Sequence, residues 1–311
     1  STVYIQNVRK ENGSPLLEHV RRGDGSQSTY SGKIKNDESI KVGDEESYSM
    51  TISLAGFAGI TGNNDNGPIV FLGKKMIYMN SYKSNTWHII GADAPFDIEG
   101  MTGENTLGVI VYSGNRVAYM NNYAKHEWTV LPDAPFKIEG ITGDNISGPI
   151  IYSGKQVAYL QYKQSEWISL VDAPFEIDGI CGDNRLGVVI YSGSKVAYME
   201  RYADKRWTML ADAPFEIEGL AGNNNNGPVI YNGSTICYLL RTDYERDNWF
   251  NFGVAPFSIE GIAGNNASGF IVFTGSEVKY TSLSNRVWKD LAGLPFDTKT
   301  YTIDPRLRIK Q

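Results

Sequence analysis

Residues 134–145 read APFKIEGITGDN. Nearly the same twelve residues occur as APFDIEGMTGEN at 94–105, APFEIDGICGDN at 173–184, APFEIEGLAGNN at 213–224 and APFSIEGIAGNN at 255–266. The tryptophans set the period. Trp87, Trp128, Trp167, Trp207, Trp249 and Trp288 are spaced 41, 39, 40, 42 and 39 residues apart, one per unit. A period near 40 in a chain of short strands is the signature of propeller blades.

Residues 213–254 divide into four strands. FEIEGLAG alternates Phe215 and Ile217 with Glu216 and Glu218. The loop NNNNG tolerates positive φ. PVIYNG, TICYLL and WFNF follow. These β-branched and aromatic runs are bounded by Gly, Asn and Asp, which argues against helix. The first strand is read as innermost, with Gly100, Gly140, Gly179, Gly219 and Gly261 relieving crowding near the axis. A lone blade cannot bury both its faces, so neighbours must cover them.

Six clear units span 55–294. PFDTKTYTID at 295–304 reads as one more innermost strand, opening the 295–311 segment. TYSGKI at 29–34 matches IYSGKQ at 151–156, and SYSMTISLAGF at 47–57 matches SEWISLVDAPF at 165–175. Strands from 1–54 would then complete a blade begun at the C-terminal end, leaving no sheet edge unpaired. The expectation is an all-β propeller of seven four-stranded antiparallel blades. Six blades with a separate small β-domain at 1–54, or eight blades, are the alternatives.

The composition excludes several functions. The formal charge is −6, with 21% charged and 12% aromatic residues. An acidic chain lacks the basic footprint of a nucleic-acid binder. No apolar run approaches the ~20 residues of a membrane span. The start STVYIQNVRK has no apolar h-region, so the expectation is cytoplasmic synthesis without a signal peptide, with leaderless release as a further route. Cys181, aligned with Ile60, Met101, Ile141, Leu220 and Ile262, and Cys237, aligned with Ala118, Ala158 and Ala197, read as buried packing residues rather than a disulfide. His19, His88 and His126 recur at no common blade position and have no partners at ligand spacing. No catalytic or metal residues and no cofactor are therefore expected. GNNDNG at 62–67 resembles a calcium loop, but its carboxylates are not kept in the other copies. Turn chemistry is the better account.

The repeated polar and aromatic positions are the candidate ligand contacts. Asn64, Asn105, Asn145, Asn184, Asn224 and Asn266 recur between two glycines, as αL or Asx-turn residues or as ligand contacts. Tyr82, Tyr123, Tyr162, Tyr202 and Tyr244 each precede a tryptophan by five residues; Leu283 breaks the pattern before Trp288. Such a pair is either inter-blade packing or a sugar platform, an aromatic face for the pyranose ring with polar groups nearby for its hydroxyls. In a four-stranded meander, the Asn loops and the Tyr–Trp loops lie on one face of the disc. The YSG turns and the links carrying Asp93, Asp133, Asp172 and Asp212 lie on the other. Glu99, Glu139, Asp178, Glu218 and Glu260 sit on the first strand. They read as solvated acids around the channel, or as contacts for a cation or an axial partner.

The blade order now has a counterpart. An inner strand, an Asn–Gly turn, an apolar strand, a Tyr-bearing strand and then DNW at 247–249 with an outer strand resembles tachylectin-type and related β-propeller lectins over 55–294. That resemblance implies a non-enzymatic, multivalent lectin with a shallow sugar site on each blade, often for N-acetylated or fucosyl sugars. Its partners would be cell-surface glycans, and it could form oligomers. Near-identical blades fit repeated weak sites, which gain ~10²–10⁴ in avidity on a multivalent target. The alternatives are a protein-interaction scaffold or toxin-associated module, and a propeller glycosidase or lyase. Enzymes specialise one site, and no blade here breaks the pattern with a catalytic cluster.

Overall fold

Six four-stranded antiparallel meanders follow one another between Gly59 and Asp290. The structure is a computed structural model. It describes residues 59–292 apart from 64–65, 82–84, 121–126, 162–164, 201, 203–204, 247 and 275–276, and strand backbones between 3 and 53 and at 300–303. In blade 3 the strands are Gly140–Asp144, Gly148–Ser153, Gln156–Leu160 and Trp167–Ser169, paired in that order. The other innermost strands are Gly59–Asn63, Gly100–Glu104, Gly179–Asp183, Gly219–Asn223 and Gly261–Asn265.

Successive innermost strands pack side by side, and the sixth packs beside the first. The ring therefore closes at six blades, which corrects the expected seven. Closure uses side chains rather than a shared sheet: Trp87 Nε1–H donates to Ala292 O at 2.8 Å, and Ala292 N–H donates to Asn85 Oδ1 at 2.6 Å. The strand Thr300–Ile303 does pair with Tyr48–Ser53, in a sheet ordered Gln27–Thr29, His19–Arg22, Tyr48–Ser53, Thr300–Ile303. That sheet belongs to a second compact unit, Ser1–Gly56 with Pro295–Gln311, distinct from Phe57–Leu294.

The core lies between blades. Ile110, Tyr112 and Val117 of blade 2 pack with Ile151 and Ala158 of blade 3, sealed by Ala134 and Ile138 of the connecting link. Full burial of each Ile or Val is worth about 1.5–3 kcal/mol. The link itself is not strand, which corrects the reading of FEIE at 215–218, and of its copy FKIE at 136–139, as the start of the inner strand. Its amides bond back to the turn of the blade it leaves, Ala134 N–H to Asn115 O and Ile138 N–H to Gly114 O, both at 2.8 Å. Pairing with the second strand begins only at Glu139, whose N–H donates to Tyr152 O.

The register also moves Cys181. It pairs with Val189 as Thr142 pairs with Ile150, so its equivalents are Thr61, Thr102, Thr142, Ala221 and Ala263 rather than the isoleucine series. Both cysteines are free and buried, and burial pushes both thiols up in pKa, away from the reactive thiolate.

Two glycine positions are steric requirements. The ring of Tyr152 lies over the innermost strand, where a Cβ on Gly140 would come within 2.4 Å of it. Gly148 has φ +99, and a Cβ there would lie 1.9 Å from Leu160 O. Gly148→Ala is expected to destabilise the propeller by about 2–4 kcal/mol, read as a lower denaturant midpoint at unchanged slope. An unchanged midpoint would show that the loop yields.

The second-strand tyrosines also predict an alkaline limit. Burial, aided by Glu99 and Glu139, pushes Tyr112 up to about 12. Burial with Asp178 and Glu218 does the same to Tyr191, and Tyr152 and Tyr231 move in the same direction. The fold favours the neutral phenol, so this stability is complete below the unfolded-state pKa of about 10 and is lost as pH rises toward 12. Stability should fall by about 1.4 kcal/mol per pH unit for each such tyrosine over that window, measured by urea unfolding. Tyr112→Phe should flatten the slope by one group's share; an identical slope would refute the assignment.

Candidate functional site

The six tryptophans lie at or just before the outermost strands and are half-buried. Each indole N–H donates to a carbonyl ahead of its own blade. Trp128 reaches Ala92 O (3.5 Å), Trp167 Pro132 O (2.9 Å), Trp207 Val171 O (3.0 Å), Trp249 Ala211 O (3.2 Å) and Trp288 Val254 O (3.1 Å); Trp87 reaches Ala292 O across the closure. The indole thus runs along the rim toward the link. Its rings seal the joints, as Trp167 does beside Leu131 and Phe136.

The repeated asparagines tie each blade to the one before it. Asn105 Nδ2 donates to Asn66 O and Met79 O at 3.1 and 2.9 Å, Asn145 to Leu107 O at 3.0 Å, Asn184 to Ser147 O at 2.9 Å and Asn224 to Leu186 O at 2.9 Å. Asn266 reaches Asn226 O, Gly227 O and Leu239 O, each at 3.2 Å. The Asx turn belongs instead to the preceding residue. Asp144 Oδ1 accepts from Ile146 and Ser147 N–H, and Asp183, Asn223 and Asn265 repeat this. The Oδ1 atoms of Asn105, Asn184 and Asn266 are buried without a hydrogen-bond partner. Asn64 lies outside the described residues.

Of the loop tyrosines, Tyr202 and Tyr244 are described; Tyr82, Tyr123 and Tyr162 are not. Both pack on a third-strand tyrosine of the preceding blade, Tyr202 on Tyr159 with centroids 4.8 Å apart and Tyr244 on Tyr198 at 5.0 Å. Tyr244 OH donates to Asn224 Oδ1 at 3.1 Å, whereas Tyr202 OH donates to Asp183 O at 3.4 Å. Asn and Tyr therefore do meet on the loop-bearing face, while Trp joins the link.

Sequence reasoning passed over the residues that break the repeat. The Trp207–Trp249 spacing of 42 is the longest of the five, and its extra residues form a 3-10 turn at Arg241–Asp243. The Arg241 guanidinium sits over the rings of Tyr198 (4.9 Å) and Tyr244 (4.6 Å) and pairs with Glu200 at 3.0 Å. The tips of the Asn loops were missed as well. Ile146 is 61% and Leu186 37% exposed, with half-buried Leu107 beside them in chain order, on blades 3, 4 and 2. His88 packs beside Tyr78 with centroids 5.3 Å apart, and His126 lies outside the described residues. No group of three or more His, Cys, Asp or Glu among the described residues could hold a metal ion. No helix among them is long and apolar enough to cross a membrane.

No protein-family model matches the chain, and no curated protein matches it. Solved structures do. The structure of U3-55K aligns with a TM-score of 0.53 at 11% identity, over 78% of this chain and 84% of that one. The crystal structure of RRP9 WD40 repeats aligns with a TM-score of 0.52 at 11% identity, over 78% and 83%. This chain is similar to both in fold, and that fold is a β-propeller.

Proposed function

We propose that this chain is a non-enzymatic protein-interaction scaffold that docks a partner on its loop-bearing face. The observation that carries this reading is the set of apolar tips on consecutive inner loops. Ile146 and Leu186 stand exposed there, where blades 5 and 6 place Asn225, Asn226, Ala267 and Ser268. The Asx turns of Asp144 and Asp183 hold these tips rigid, so little entropy is lost when a partner covers them. A contiguous apolar patch rimmed by polar groups marks a protein contact, and apolar tips on successive loops are the arrangement that would build one. The similarity to a WD40-repeat structure supports the fold on which such a face is built.

The multivalent lectin is the second reading. It rests on the orphan Oδ1 atoms of Asn105, Asn184 and Asn266, which recur at one blade position and could accept from a ligand hydroxyl. The tachylectin-like blade order and the half-exposed Trp rings favour it too. Among the described residues, the tryptophans, the asparagines, Tyr202 and Tyr244 also bond or pack across the joints, which weighs toward the scaffold.

One experiment separates the two. Proteins captured from a cell extract by the wild-type chain are compared with those captured by I146S/L186S, with and without excess simple sugars. The scaffold reading expects specific proteins lost in the variant and indifferent to sugar. Identical capture by both chains sinks it, and elution by N-acetylated or fucosyl sugars transfers the conclusion to the lectin.

A further inference from the structure

The acids of the first-strand pattern are not used by the loop-bearing face. Glu99, Glu139, Asp178, Glu218 and Glu260 are exposed and stand one residue ahead of their innermost strands, on the link-bearing face. Four are fixed in place by the second turn of their own blade. Glu99 accepts from Gly114 N–H at 3.0 Å, Glu139 from Gly154 at 2.7 Å, Asp178 from Gly193 at 2.9 Å and Glu218 from Gly233 at 2.9 Å. Each uses one carboxylate oxygen for this, and no ion pair with Lys or Arg among the described residues neutralises any of these four.

Tyrosines alternate with them. Tyr112 OH donates to the main-chain carbonyl of Glu139 at 3.1 Å and Tyr152 OH to that of Asp178 at 3.0 Å, so each phenol is tied to the backbone beside the next acid along the ring. Tyr191 lies within the field of Asp178 and Glu218, and Tyr231 within that of Glu218 and Glu260. The result is an arc running Glu99, Tyr112, Glu139, Tyr152, Asp178, Tyr191, Glu218, Tyr231, Glu260 across blades 2 to 6. Tyr191 and Tyr231 are 4% and 5% exposed, yet among the described residues neither hydroxyl has a hydrogen bond like those of Tyr112 and Tyr152. Packing does not require these hydroxyls, because Phe71 and Phe273 hold the same place in blades 1 and 6. The hydroxyl oxygens themselves reach the surface, so a ligand atom can bond them without displacing a partner in the fold.

We propose that this arc is a docking surface for a lysine- and arginine-rich segment of a partner protein. The cations lie between successive carboxylates, and the Tyr191 and Tyr231 hydroxyls accept from guanidinium or ammonium N–H groups. The acids are spread over five blades, so they suit several separate cations on one chain. They do not gather into a group able to hold one metal ion. The chain's net charge of −6 favours the same partner class and disfavours nucleic acid. The inference rests on the scaffold reading but uses the opposite face, so the two can fail separately.

The test is fluorescence anisotropy of a labelled oligo-arginine peptide titrated with the full chain at low salt. Saturable binding that weakens steeply with salt is expected. E139Q/D178N/E218Q keeps the acceptors for the glycine amides and should weaken binding about tenfold, while E127Q/E166Q on the loop-bearing face should leave it unchanged. Y191F/Y231F should weaken it about threefold without lowering the thermal midpoint. Unchanged binding in the triple variant overturns the proposal, and so does equal weakening by E127Q/E166Q, which would mark unspecific charge attraction. Unchanged binding in Y191F/Y231F overturns the site as built. I146S/L186S should bind the peptide like wild type whatever it does to partner capture; if it binds more weakly, the peptide sits on the loop-bearing face and the assignment falls.

Discussion

A four-stranded blade has two apolar faces and can bury neither alone, so everything in this propeller depends on the joint between blades. The joint has a fixed anatomy. Apolar residues such as Ile110 and Ile151 fill it, the Trp indole N–H bonds across its outer rim, and the Asn amide bonds across its loop end. Near the axis, Thr61, Thr102 and Thr142 donate to Gly103, Gly143 and Gly182 of the next blade. A closed ring must make the last joint like the others, and the Trp87–Ala292 bond does so. Equal blades are what equal joints demand, which accounts for the repetition without a ligand.

The joint also explains which positions vary. Cys181, Ala221 and Ala263 replace the threonine, so half of the ring exchanges a hydrogen bond near the axis for apolar contact. The exchange deletes the donor, and its cost is small where the glycine carbonyl keeps another partner. The Asn amide has no such freedom. It fills carbonyl groups at the end of the third strand and in the Asn loop, which an apolar side chain would leave buried and unpaired.

Much of this was legible in the sequence. The Trp period marked the blades, and the Gly–Asn–Gly punctuation placed the loops. The polar letters could be given positions but not partners, because their partners are backbone carbonyls some 25 to 40 residues away, which no local pattern displays. The blade number was misread for a related reason. The N-terminal strands do resemble repeat strands, and residues 300–303 do pair with them. Whether they join the ring is decided by the packing of Gly261–Asn265 beside Gly59–Asn63, a contact between the two ends of the array. The PFKIE stretch alternates like a strand, yet its amides bond to the turn behind it, so periodicity named the right buried residues and the wrong element.

If repetition belongs to the joints, recognition is sought where the copies differ. The loop tips are free to differ because the Asx turn fixes their backbone and leaves the side chains in solvent: Ile146, Arg185, Asn225 and Ala267 occupy one position. The Tyr–Phe exchange of the second strand is free for another reason, since the ring fills the space above the innermost glycine and the hydroxyl is an addition. Blades 1 and 6 carry phenylalanine there and blades 2 to 5 tyrosine, so the polar arc on the link-bearing face is broken at blade 1. The apolar tips lie on blades 2 to 4 of the other face. A ring built from equal joints therefore presents two unequal faces, neither of them uniform around the ring, which suits a partner bound in one orientation better than a ligand taken up blade by blade.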